Sequence, residues 1–426
     1  MRSVARVQMK TGTNQKHARA LNYRTILNII RVHGPIARAE IARRTSLTRQ
    51  TVSNITRALL ERDLIVEGGR VSEGRGAPSI ALALNPDGAF SVGLDLDEEH
   101  LTGVLVDQTG AVRQHLLTEM DRPSPTEAAR LMERLALSLL DAQNVDRERL
   151  WGVGIGIPGP VDIRASDDTM VTVRPSLSLG WRRPVPIGDL VSERLHVPVY
   201  VENNATAAAL GERWYGDGRH YESFFYFFLG SGLGGGLILN GHPFEGHSGN
   251  AGEIGYMPTW GPARPEAGFR QNHHGIHFNL SRLYASLAAD GYRPLHPRDL
   301  LKPFLDMNPT MLEWLSVGAR LLSHLILTIE YVLDPKAVFL GGRLPMPIIE
   351  HFRSAIASML PRMRIDEKTF VPELLCSTAG DDAAALGVAT LPMYTAFAPV
   401  PSLLRAPATG KPGTPAFPAT GFHLEY

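Results

Sequence analysis

The chain has 426 residues, 44% of them apolar and 20% charged, enough for two or three domains of ~100 to 200 residues around a sizeable core. No uncharged apolar run approaches the ~18 residues of a membrane helix, and no apolar block follows the basic N-terminal residues Arg2, Arg6, Lys10 and Lys16 as a secretory leader requires, so a cytoplasmic protein is expected. The one cysteine, Cys376, excludes an internal disulfide framework and a Cys-rich zinc site.

A net charge of zero hides an asymmetry. Residues 1–85 hold 15 Lys and Arg against 5 Asp and Glu, and the remainder holds 28 against 38. This split fits a basic module for a polyanion on an acidic body, but also a solubilising charged face, so the residue pattern has to decide.

Residues 1–20 read as a flexible basic leader and 21–86 as a winged helix-turn-helix domain. From Tyr23 to Ile30 the apolar side chains Ile26, Leu27 and Ile30 share one helical face before Gly34-Pro35 interrupts it. A short helix over 38–45 turns Ile41 inward, and after the turn at Ser46-Leu47 Thr48 can cap a third helix with Val52, Ile55 and Leu59 on its buried stripe. Its outer face then carries Arg49, Gln50, Thr51, Ser53, Asn54 and Arg57. Arg pairs with guanine edges, Gln and Asn with adenine, and Ser or Thr with phosphates, so with Thr48 this face suits a major groove. Leu64 to Val66, a Gly68-Gly69 turn, the segment 74–78 and a strand over 80–84 read as a wing that offers Arg75 to the minor groove.

Asn85-Pro86-Asp87-Gly88 is turn chemistry and marks a domain boundary. Over 87–395, strands alternate with helices, which predicts α/β layers with buried sheets. Strands are expected over 90–95, 101–107, 150–157, 199–202, 223–229, 237–240 and 337–340, and helices over 125–141, 205–215, 309–333 and 383–391. From Ala396 to the end, Pro, Ala, Gly and Thr dominate, as in a disordered tail.

Three Gly-rich stretches follow apolar strands, over 152–162, 230–236 and 340–343. Such turns let the backbone approach a ligand and aim N–H groups at its oxygens, although tight strand connections need glycine too. Between the first two lie Asn203 and Asn204, at the end of a strand and start of a helix, where their amides can serve a polyhydroxylated ligand or cap the helix. In the Gly-rich run 246–255, Gly249 and Glu253 complete a candidate sugar site, with Glu253 accepting two hydroxyls unless it is a solvated loop carboxylate. His273, His274 and His277 lack a suitably spaced metal partner, so no metal is expected.

The segments 154–162, Glu202-Asn-Asn-Ala205 with Ala208 to Glu212, 230–236 and Gly249 to Gly255 together resemble the ROK family, which unites sugar kinases and sugar-responsive repressors, and its repressor branch in particular. The resemblance implies an actin-like, ribonuclease-H-like body of two lobes with a sugar in the cleft. Departures from the kinase pattern carry more information. The kinase phosphate turn Asp-x-Gly-Gly-Thr-Lys is replaced by Asp95-Leu-Asp-Glu-Glu-His100. A carboxylate ~4 Å from a phosphate charge costs about 4 kcal/mol at an effective dielectric of ~20, so no ATP cofactor is expected. Asn204 stands where the kinases carry the Asp that takes the sugar proton, and an amide cannot do that work. Tyr256 replaces the His of the family's zinc motif, whose cysteines are absent between Pro258 and Leu283.

The expected protein is therefore a sugar-responsive DNA-binding regulator, most simply a repressor. It would bind an operator as a homodimer or dimer of dimers, hold a monosaccharide or derivative as effector, have no membrane partner and catalyse no phosphoryl transfer. An ATP-dependent sugar kinase with an N-terminal extension is the alternative, and a sugar-binding body on a helical dimerisation module a third.

Overall fold

The computed structural model describes residues 15–71, 79–163, 171–173, 179–259, 273–365 and 370–397. The N-terminal domain runs α1 (Gln15–His33), β1 (Ile36–Ala37), α2 (Arg38–Thr45), α3 (Arg49–Leu60), β2 (Ile65–Val71) and β3 (Ser79–Leu84), with an antiparallel sheet ordered β1-β3-β2. Thr48 caps α3 as expected, its hydroxyl accepting from the Thr51 N–H at 3.1 Å. Two expectations fail here. Helix α1 already begins at Gln15, so residues 15–20 are helix rather than flexible leader. Gly68 and Gly69 are no turn: they lie inside β2, where the register with β3 shifts between Glu67 and Arg70, and the one extra residue on β2 makes a bulge. Arg75 and residues 1–14 lie outside the described residues.

The body consists of two lobes built on one plan. In the first, β4 (Phe90–Leu96), β5 (His100–Asp107), β6 (Val112–Glu119), β7 (Leu150–Ile157) and β10 (Val199–Asn203) form a sheet ordered β10-β7-β4-β5-β6. Helices α4 (Pro125–Ala142) and α5 (Ile187–Leu195) accompany it, and β8 (Val161–Ile163) pairs with β9 (Val171–Val173). The second lobe repeats that order as β13-β12-β11-β14-β15, from β11 (Phe224–Leu229), β12 (Leu233–Leu239), β13 (His242–Pro243), β14 (Ala337–Gly342) and β15 (Glu373–Cys376). Each sheet has an antiparallel meander of three strands followed by two parallel ones. Outside the second sheet lie α7 (His274–His277), α8 (Leu280–Ala289), α9 (Leu301–Leu305), α10 (Pro309–Leu333) and α11 (Met346–Met363). Helix α10 is long and apolar enough by composition to span a membrane, but here its buried face, from Met311 to Ile329, forms core with β11, β14 and α11.

Two helices fill the space between the sheets, α6 (Asn204–Tyr215) against the second and α12 (Ala383–Phe397) against the first. Both are rich in Ala, and backbone meets backbone where they touch. A Cβ at Gly387 of α12 would lie 1.8 Å from the Ala207 carbonyl oxygen, and one at Gly211 of α6 would lie 1.9 Å from that of Ala383. Gly154 in β7 likewise faces Val388 of α12, with 1.9 Å left for a Cβ. Several glycines read as ligand loops therefore serve close packing: Gly152, Gly154 and Gly156 belong to β7, and Gly234, Gly235 and Gly236 to β12.

Helix α12 also ends later than expected. Met393, Ala396 and Phe397 are buried with Trp151 among the core residues of the N-terminal domain, including Ile30, Ile36 and Leu64, so 396 and 397 are packed helix rather than tail, and the rest of the expected tail lies outside the described residues. Gln108 adds polar stitching, donating from Nε2 to the carbonyls of Leu64, at 2.7 Å, and Asn85. Because the crowding atom at Gly387 is backbone, Gly387→Ala should cost at least about 1 to 3 kcal/mol in chemical denaturation. An unchanged midpoint would show that α12 does not need this contact.

Candidate functional site

A cleft cavity of about 420 Å³ opens between the lobes. The end of β10 supplies Asn203 and the first turn of α6 supplies Asn204. Gly159 and its flanking prolines border one side, Ser231 and Gly232 from the β11–β12 turn another, and Glu253, Tyr256 and His273 a third. Glu98, in the turn between β4 and β5, joins the wall with Arg122, whose Nη2 lies 3.3 Å from its Oε2.

The two asparagines differ. Asn203 is the N-cap of α6, its Oδ1 accepting from the Ala205 N–H at 2.8 Å while its Nδ2 donates to the Gly159 carbonyl at 2.9 Å. Asn204 is half-buried and makes no side-chain hydrogen bond among the described residues, so both ends of its amide are available. The Glu253 carboxylate likewise has no hydrogen-bond partner among the described residues, and burial pushes its pKa up to about 7. Gly249 does not line the cavity. It is buried with φ of 81°, a left-handed turn conformation, and so shapes the loop that carries Glu253.

Only the first residue of the histidine cluster faces the cleft. His273 Nδ1 donates to the Gly255 carbonyl at 2.8 Å, leaving Nε2 as an acceptor in the neutral ring, and Tyr256 packs on it with centroids 5.7 Å apart. His274 is buried, which holds its pKa down to about 4, and His277 bonds the Trp314 carbonyl and stacks on that indole. Among the described residues no three His, Cys, Asp or Glu side chains gather as a metal ion would need.

Arg343, just after β14, donates from Nη2 to Asp95 of β4, so one lobe reaches the other through a buried ion pair. Burial outweighs this arginine and lifts the Asp95 carboxyl to about 7. The next turn crosses as well, with His296 Nδ1 2.6 Å from Glu99 Oε2. Sequence reasoning missed Arg343 as a charge partner, together with the cavity residues Ser231, Arg122 and Asn279, because only the fold brings them near.

On the N-terminal domain, Arg49, Gln50, Asn54 and Arg57 stand exposed on α3, with Thr51 and Ser53 half-buried beside them. Gln50 Nε2 donates to Asn54 Oδ1 at 3.0 Å, so the two amides form one unit along the helix. The sequence-predicted face is thus assembled, while its predicted companion Arg75 falls outside the described residues.

A profile described as ROK family matches residues 91–393. The chain belongs to the ROK family. A second profile, for a winged helix-turn-helix DNA-binding domain, matches residues 24–66. Among curated proteins this ROK chain is 27% identical over 244 residues to the xylose repressor of Bacillus subtilis strain 168, covering 57% of the chain and 62% of that protein. It is 28% identical over 243 residues to the DNA-binding transcriptional dual regulator NagC of Escherichia coli K12, covering 56% and 57%. The match therefore spans about three fifths of the length of these relatives. Among solved structures, a ROK family transcriptional regulator described as a homologue of the E. coli MLC protein superposes with a TM-score of 0.69 at 19% identity, over 89% of this chain and 98% of that one. A ROK hexokinase from Thermus thermophilus superposes with 0.53 at 26% identity, over 70% and 96%. The fold class expected from the sequence, a winged helix-turn-helix followed by a two-lobed ROK body, is the one observed.

Removing the arginine should expose how much the lobes depend on it. Arg343→Met leaves Asp95 buried without its partner and should destabilise by about 3 to 5 kcal/mol near pH 8. Because an acid with a raised folded pKa loses stability as pH rises from its unfolded value through that pKa, the deficit should shrink towards pH 5, where Asp95 is protonated. Denaturation of the variant with equal loss at pH 5 and 8 would contradict this reading.

Proposed function

We propose that the protein is a sugar-responsive DNA-binding transcriptional regulator acting as a repressor, working in the cytoplasm as a homodimer on a pseudo-palindromic operator. The observation that carries the proposal is the exposed polar face of α3 on a winged helix fixed to a ROK body whose cleft holds unpartnered Asn204 and Glu253. The xylose repressor and NagC, similar in sequence, are both named for control of transcription.

Arg49, Gln50, Asn54 and Arg57 would read base edges, with Thr48, Thr51 and Ser53 on phosphates and Arg75 in the minor groove. In the cleft, Glu253 would accept hydrogen bonds from two sugar hydroxyls, Asn204 would donate and accept, and His273 Nε2 would accept a third hydroxyl. Asn203 acts by fixing the start of α6. The pocket would bind sugar without transferring phosphate: Asp97 and Glu98 would repel a phosphate at the turn after β4, and Asn204 offers no base. Occupancy alone signals, since a ligand shifts an equilibrium by its differential affinity for the two states.

The direct test is selection of DNA from a random pool by the full chain, followed by sugar challenge. A recovered two-fold site released by a monosaccharide supports the proposal, and recovery of no preferred sequence, or steady ATP consumption with a hexose, overturns it. Asn54→Ala should cost about 1 to 3 kcal/mol on the selected site and little on random DNA. Hydroxyls donating to Glu253 favour its ionised form and lower its pKa in the complex, so sugar binding should tighten as pH rises from 6 to 8. Calorimetry on Glu253→Gln should find weaker binding with that pH dependence gone; a retained dependence would place the titrating group elsewhere.

A further inference from the structure

The joint between the N-terminal domain and the body encloses a second cavity, of about 480 Å³, which shares no lining residue with the sugar cleft. Its wall is aromatic, with Trp214 and Tyr215 from the end of α6 and Tyr394 and Phe397 from the end of α12. Arg31 of α1 lies across this wall, its guanidinium carbon 5.2 Å from the Trp214 ring centroid and 5.7 Å from that of Phe397. Size and lining match those of sites that enclose small organic ligands, which are mostly apolar with a few placed polar groups.

The charge balance of the cavity is incomplete. Arg31 is half-buried, and its Nε and Nη2 both donate to the neutral Asn28 Oδ1, at 3.2 and 3.0 Å. Burial pulls its pKa down, and the one ionisable group acting against that is Tyr394, a phenol rather than a carboxylate. The acid that does line the cavity, Asp107, is spent: Oδ1 accepts from Thr109 N–H, Thr109 Oγ1 and Ala111 N–H, and Oδ2 accepts from Arg113 Nε at 2.7 Å. A cation removed from water without a counter-ion is costly, so the site favours an anion. Gln108 also lines the cavity, but its Oε1 is closed off from solvent and its Nε2 is spent on the two domain-joining carbonyls, so Arg31 is the polar group that sets the ligand chemistry.

We propose that this cavity is a second ligand site, for a small planar aromatic carboxylate. The carboxylate pairs with Arg31, and the ring lies on the Trp214 and Phe397 wall. Such a ligand touches α1, the turn between β5 and β6, and α12 at once, so it clamps the DNA-binding domain to the body without entering the sugar cleft.

The experiment is a thermal-shift and tryptophan-fluorescence titration of the full chain with 4-hydroxybenzoate, using 4-hydroxybenzamide and acetate as probes lacking the charge and the ring. The acid is expected to raise the melting temperature and change Trp214 emission, with the amide and acetate each binding at least ~10-fold more weakly and Arg31→Gln losing at least ~10-fold in affinity for the acid. Absence of binding by 4-hydroxybenzoate, equal binding by its amide or by acetate, or undiminished binding to folded Arg31→Gln would each overturn the proposal. Should Arg31→Gln fail to fold, the acid and amide compared on the unaltered chain decide alone.

Discussion

Helix α12 can occupy the centre of this molecule because the residues facing it at Gly93, Gly154 and Gly211, and its own Gly387, carry no side chain. Each contact places backbone against backbone, an arrangement that does not yield gradually because packed interiors are dense and have discrete alternatives. The same helix lies on the first sheet, against α6 of the second lobe, and with Phe397 in the core of the DNA-binding domain. One rigid element thus touches all three bodies. A change in lobe angle cannot leave the winged helix where it was unless Met393 and Phe397 leave that core, and burial of such side chains is worth about 1.5 to 3 kcal/mol each.

Charge sharpens this mechanical picture. Buried carboxylates here are matched with care: Glu212 accepts from Ser377, Thr378, Ala379 and Gly218 and ties the end of α6 to the segment after β15. Glu330 inside α10 is held by Arg364 at 3.0 Å. Asp95 and Arg343 are matched across the cleft, so their pairing depends on how far the lobes are open. The Glu253 carboxylate is not matched in this way: it is half-buried and unpartnered among the described residues, and an unmet acceptor in a polar cleft is what a polyhydroxylated ligand satisfies.

Local chemistry was legible from the chain. The bounds of α2 and the start of α3 follow from Ile41, the Thr48 cap and the Val52, Ile55, Leu59 stripe, and α10 follows from its Pro start and long apolar face. Glycine was misread where its reason is tertiary. Gly68-Gly69 looks like a turn but sits in a bulged strand, and Gly152 to Gly156 look like a ligand loop but make room for α12 and its surroundings. Of the candidate sugar residues, Asn203, Asn204 and Glu253 do line one cavity, whereas Gly249 only shapes the loop beneath. The Asp95 and Arg343 pair was invisible because 248 positions separate its members, and no periodicity spans that distance.

On the proposed function, sugar occupancy and DNA binding bias one shared arrangement of α12, the lobes and the winged helix. Coupling between two sites is reciprocal, so the most direct measurement is the affinity of the full chain for its releasing sugar, with and without saturating operator DNA. The account predicts that DNA weakens sugar binding by the same factor by which the sugar weakens DNA binding. An identical sugar affinity in both conditions would contradict it.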